Sequence, residues 1–113
     1  MGLFNRTPRI DAAGAAELIA ARSVVVVDVR QNAEWRRGHI QGAVHIPLAQ
    51  LGSRLHQLPS HKTIVTVCAS GHRSAAAART LIRAGHDVLN LRGGMNAWGR
   101  AGLPLSTSKA RRR

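Results

Sequence analysis

The stretch "TVCASGHRS", residues 66 to 74, places the only cysteine of the chain, Cys68, between a β-branched apolar run and an alanine-rich segment. Around it stand Ala69, Ser70, Gly71, His72, Arg73 and Ser74. A thiol becomes a strong nucleophile only when it ionises, and backbone amides, a helix N-terminus or a nearby cation favour the thiolate. Gly71 lets a short turn curl with its amides pointing inward, and a helix predicted over 74–85 adds positive potential at its start. The segment therefore predicts an anion cradle with a nucleophile at its centre. A lone cysteine at the end of a buried strand is often only a small hydrophobe. Packing, however, has no need of a glycine and an arginine in the turn that follows, whereas chemistry on an anion does.

The flanking elements must hold this turn in place. "VVVVDV" (24–29) and "TIVTVC" (63–68) are continuous β-branched runs of the kind buried on both faces of a sheet. "AVHI" (43–46), ended by Pro47, and "DVLNL" (87–91) are further strands. Between them lie predicted helices: 11–22 with Asp11 as cap, a short turn at 33–38 stopped by glycine, 48–58 with leucines at helical spacing and Pro59 at its end, 74–85 with Gly85 at its C-cap, and 94–102. Strands alternating with helices imply βαβ units, a parallel sheet and helices on both faces. In such sheets ligands bind beyond the carboxyl ends of the strands, which is where Cys68 falls. Asp28 ends its own strand at the same edge, and a loop-supporting role is expected, its carboxylate accepting loop N–H groups.

At 113 residues the chain has room for one modest core, and its apolar fraction of 44% is that of a globular domain. No apolar tract reaches membrane-spanning length, and "MGLFNRTPRIDAAG" lacks the apolar core of a secretory signal, so a cytoplasmic location is expected. One cysteine forms no internal disulfide and no multi-cysteine zinc site; no metal and no cofactor is inferred, the "GG" at 93–94 lacking the spacing of a nucleotide fingerprint. The formal charge of +12 suits nucleic acid, anionic lipid or an anionic small substrate. Only three aromatic residues are available to stack on bases, which argues against a nucleic-acid partner. The head (1–9) reads as flexible, 10–105 as the folded domain, and the basic tail "STSKARRR" (106–113) as disordered.

Two longer segments carry a resemblance. "VVVVDVRQNAEWRRGHIQGAVHIPL" (24–48) is similar to the strand, D-V-R, spaced glutamate, G-H-I, G-A and I-P elements of the rhodanese-like sulfurtransferases. "IVTVCASGHRSAAAARTLIRAGHDVLNLRGGMNAWGRAGLPL" (64–105) resembles their active-site strand, cysteine loop, alanine-rich helix, G-G-M-x-A-W segment and closing L-P. The chain is thus identified as resembling a single-domain rhodanese. The resemblance implies an α/β fold, a three-layer α/β/α domain around a mostly parallel sheet of about five strands. It also implies transfer of sulfane sulfur, from thiosulfate or a related donor such as 3-mercaptopyruvate or a protein-bound persulfide, through a Cys68 persulfide to a thiol or protein acceptor. The alternative is a non-catalytic sulfur carrier or regulatory protein-binding module. Phosphatases sharing the fold place five residues between cysteine and arginine; here there are four, Ala69 to His72.

Among the other polar residues, Arg30 and Glu34 are expected to pair on one helical face as scaffold. His39 and His45 are expected to be structural, and Trp98 to anchor the core. His72 either tunes the thiolate, contacts substrate or does neither. Ser70 and Ser74 are able to donate to a persulfide, and Ser74 is expected chiefly to cap the following helix.

Overall fold

In the computed structural model, which describes residues 7–107, the β-branched runs pair side by side at the centre of a five-stranded parallel sheet. Its strands are β1 (Arg9–Ile10), β2 (Val24–Asp28), β3 (Val44–His45), β4 (Thr63–Val67) and β5 (Val88–Leu91), in the order β1-β5-β4-β2-β3. The helices are α1 (Ala12–Ala20), α2 (Asn32–Arg37), α3 (His72–Arg83) and α4 (Gly94–Arg100). β2 and β4 run in register from Val24 opposite Thr63 to Asp28 opposite Val67.

Alternation along the central strands sends side chains into two cores. Val27 and Ile64 pack on one face with Leu51, Ala77 and Leu81; Val26 and Val65 pack on the other with Ala12, Ala15, Trp35 and Trp98. The continuous apolar character of β2 and β4 follows from this double burial. The chain leaves β2 toward β3 and leaves β4 toward β5, so the strand order reverses between β2 and β4. A cleft outside the carboxyl ends of those two strands is where such a sheet offers a binding site.

The helix predicted over 48–58 is instead two short 3-10 segments, Leu48–Ser53 and Leu55–Gln57. Gly52 weakens the middle, and the Ser53 hydroxyl donates to the Gln50 carbonyl (3.1 Å), which competes with a continuous ladder. Its leucines still reach the core through Leu51 and Leu58. The head is ordered further than its composition suggests: Arg9 belongs to β1, and the Asn90 amide donates to the Pro8 carbonyl (2.8 Å). At the other end Ser106 bridges His39 through reciprocal backbone bonds of 2.7 and 2.9 Å. Residues 1–6 and 108–113 of the expected head and tail lie outside the described residues. No helix among the described residues is long and apolar enough to cross a membrane.

Candidate active site

Cys68 directly follows β4 and is buried, and its surroundings are those of an anion. Its Sγ accepts hydrogen bonds from the Gly71 amide (3.1 Å), the Ser74 amide (3.3 Å) and the Ser74 hydroxyl (3.3 Å). Burial pushes the thiol's pKa up, but the Ser74 hydroxyl and the amides of Ser74, Gly71 and Ser70 outweigh it, and the net shift is downward. Gly71 takes φ of +106°, which an L side chain resists, and so turns the chain from strand into helix within three residues.

The helix begins earlier than the sequence suggests. α3 starts at His72 with Gly71 as its cap, so Ser74 is the third helical residue and caps nothing. Its amide is one of the first-turn N–H groups that no helical carbonyl reaches, and the sulfur takes it. The Ser74 side chain, expected as a cap, is spent on Sγ as well. Earlier initiation also moves His72 and Arg73 out of the loop and onto the helix, leaving Ala69, Ser70 and Gly71 as the turn itself.

Arg73 does not stand free over the sulfur. Its guanidinium forks onto Glu34 of α2, with bonds of 2.7 and 2.9 Å to the two carboxylate oxygens. This pair replaces the expected Arg30–Glu34 contact. Arg30 precedes α2, so the four-residue helical spacing never applies to it. Hydrogen bonds from Arg73 hold the Glu34 carboxyl down to about 2, against burial and with help from the Gln31 amide. Glu34 in turn keeps Arg73 charged, and the Cys68 sulfur favours the same state.

Asp28 lies at the predicted edge but serves a different partner. Both its oxygens are occupied by the Arg30 guanidinium (2.8–3.1 Å), and Oδ1 also accepts the Arg30 amide (3.0 Å), so no cysteine-loop amide is among its donors. Arg30 continues to the Gly38 carbonyl (2.8 Å), tying the end of β2 to the end of α2. Trp35 stacks on His39 and His45 at centroid distances of 3.5 and 4.6 Å. His39 bonds the Trp35 carbonyl and His45 that of Arg30, each at 2.8 Å. Both histidines are fixed into the scaffold that carries Glu34. Buried Trp98 donates its indole N–H to the Pro104 carbonyl (2.9 Å).

Two further residues complete the site, Asn90, which the sequence did not single out, and Gly94, considered there only for a nucleotide fingerprint. Asn90 of β5 donates from its amide to the Gly71 carbonyl (3.0 Å) and accepts from Thr66 (3.2 Å), pinning the turn to the sheet. Gly94 lets α4 approach the turn from the other side. A Cβ there would collide with the carbonyls of Cys68 and Ala69, and its φ is +57°. In its absence the amides of Met95 and Asn96 bond those two carbonyls at 2.8 and 3.0 Å. The paired glycines before a helix were the available signal. Ser70 and His72 are exposed and bond each other (3.1 Å) on the outer side of the turn. Beside Ala69 a cleft of about 290 Å³, walled by Glu34, Arg37, Met95 and Leu105, leads to the loop.

The model of the rhodanese-like domain matches residues 11–101. The chain belongs to this family. The rhodanese domain described here is 38% identical over 98 residues to a sulfurtransferase of Allochromatium vinosum, covering 85% of this chain and 92% of that one. Thiosulfate sulfurtransferase GlpE of Actinobacillus pleuropneumoniae is 30% identical, with 83% of this chain and 88% of that one covered. The crystal structure of a rhodanese-related protein from Thermoplasma volcanium superposes with a TM-score of 0.85 at 32% identity, over 89% of this chain and 99% of that one. Some other curated relatives are longer, and the chain spans under half of their length.

Proposed function

We propose that this rhodanese moves sulfane sulfur from thiosulfate to a thiophilic acceptor through a persulfide on Cys68. The Cys68 thiolate attacks the outer sulfur of thiosulfate, an S–S bond forms, and sulfite leaves with the electron pair of the bond that breaks. Charge balances, one thiolate and one dianion giving one persulfide anion and one dianion. An acceptor thiolate or cyanide then takes the outer sulfur and returns Cys68 to its thiolate. Donor and acceptor between them supply every electron the two steps need. Division through a covalent intermediate implies ping-pong kinetics.

The observation that carries this reading is the triple donation from Gly71 and Ser74 to a buried sulfur at a helix N-terminus. Donors preorganised around a negative charge stabilise it without reorganisation during the reaction. The name of the Actinobacillus relative supports thiosulfate as the donor. Ala69, Ser70, Gly71, His72, Arg73 and Ser74 form the substrate-facing set in this proposal. Arg73 acts from a fixed position because Glu34 holds it, and Asp28 acts at a distance by fixing Arg30.

The test is to incubate the reduced protein with thiosulfate, measure its intact mass, then add cyanide and follow thiocyanate, with Cys68→Ser in parallel. One sulfur gained, released on cyanide addition and absent in the variant, is the expected result. A folded, reduced protein that takes up no sulfur from thiosulfate refutes the donor assignment.

A further inference from the structure

On the outer side of the catalytic turn lies a second cleft, about 430 Å³ in volume, between the edge of the sheet and α3. Three arginines from three elements line it: Arg9 of β1, Arg92 just after β5, and Arg79 of α3. His72 and Ala75 share the wall with Arg79 because spacings of three, four and seven residues lie on one helical face. None of the lining residues is acidic. Among the described residues, none of these three guanidiniums has a hydrogen-bond or ion-pair partner, in contrast with Arg30 and Arg73. The chain has only five carboxylates. Asp28 and Glu34 are consumed by the latter two arginines, and Asp11 accepts the Gly14 amide.

We propose that this cleft is a second anion site, separate from the Cys68 cradle, that binds a diphosphate group. Three uncompensated guanidiniums around one concavity suit a compact, multiply charged anion, and each is a planar fork matched to phosphate oxygens. Buried Asn90 stiffens the floor, since its amide is held by the Gly71 carbonyl and its oxygen by Thr66. Among the described residues that line the cleft there is no Phe, Tyr or Trp, Trp35 and Trp98 being buried in the core. The charged groups of the cleft therefore supply its recognition. The cleft shares Ser70, Gly71, His72 and Asn90 with the turn around Cys68, while its three arginines lie outside the sulfur site.

Calorimetric titration with inorganic pyrophosphate at constant ionic strength tests it, with ADP as the same group carried on a larger molecule. Saturable binding of pyrophosphate is expected, weakened about tenfold or more by Arg79→Gln and again by Arg92→Gln. Arg83→Gln, in the last turn of α3, and Cys68→Ser are expected to bind as the parent does. ADP binding as well as pyrophosphate shows that a carried diphosphate enters, while pyrophosphate alone binding confines the occupant to the free anion; both support the site. Arg79 and Arg92 are exposed, so the core is untouched by these changes. Several results overturn the proposal: no binding to the parent protein, binding unchanged in the Arg79→Gln, Arg92→Gln double variant, or loss of binding in Cys68→Ser. Displacement by polyglutamate or RNA at lower charge concentration than pyrophosphate also overturns it, assigning the surface to a macromolecule.

Discussion

Replacing Ser74 by alanine isolates one of the donors that surround the Cys68 sulfur and favour its thiolate. The hydroxyl sits 3.3 Å from Sγ on a buried residue, while the Ser74 and Gly71 amides stay where α3 and the turn put them. A hydrogen bond to a charged group is worth roughly 1.5–3 kcal/mol, and about 1.4 kcal/mol is tenfold in an equilibrium, so Ser74→Ala moves the thiol–thiolate equilibrium toward the thiol by at least about tenfold. Alkylation by iodoacetamide reports the thiolate directly. Plotted against pH, the variant's rate profile is expected to be displaced to higher pH. The rate should fall about tenfold on the acidic limb and match the parent on the alkaline plateau. Ser70→Ala is the control: its hydroxyl faces His72, and its contribution to the sulfur comes from the backbone, so its profile should not move. A Ser74→Ala profile that superposes on the parent's, in a variant with an unchanged unfolding temperature, would refute the reasoning. The amides alone would then suffice.

Other perturbations probe the frame. Gly94→Ala forces a Cβ against two carbonyls in a left-handed backbone conformation, and is expected to cost about 2–3 kcal/mol or more in stability, visible in denaturant unfolding, with slower alkylation of Cys68. For Glu34, the folded pKa of about 2 lies below the ordinary 4.5, so its contribution to stability is complete above pH 4.5 and is lost as pH falls toward 2. The unfolding temperature of the parent should drop across that interval more steeply than that of Glu34→Gln, which binds no proton there. Equal slopes would show that the Arg73 pair contributes nothing in solution.

The position of the cysteine turn was legible because it depends on chain-local facts: a β-branched run, a cysteine, a glycine-containing turn and an alanine-rich helix. What surrounds it was less so. Ser74 has the residue type of an N-cap, and residue type alone does not reveal that a sulfur three residues before the true cap, Gly71, would claim both its donors. Glu34 and Arg30 have helical spacing, but α2 begins at Asn32, and the carboxylate finds Arg73 thirty-nine residues away instead. Asp28 was correctly placed at the sheet's edge, yet its partner lies two residues along the chain and closes that carboxylate to the loop. β1 has two residues, too few for any alternation to register, and owes its existence to the open edge of β5. Pairing between distant segments settles the Glu34–Arg73 bridge and β1, and no short window along the sequence contains both partners; Ser74 and Asp28 have their partners close by in the chain, but residue type alone does not say which neighbour each one bonds.

The reach of α4 to the carbonyls of Cys68 and Ala69 makes the shape of the turn depend on a segment that follows it in the chain. Cys68 is made before the last supports of its turn, since residues 90 and 94–96 follow it in synthesis. Until that segment has been made and has docked, the turn lacks the clamps that fix its shape. The surroundings of Cys68 are therefore completed by residues that follow it in the chain.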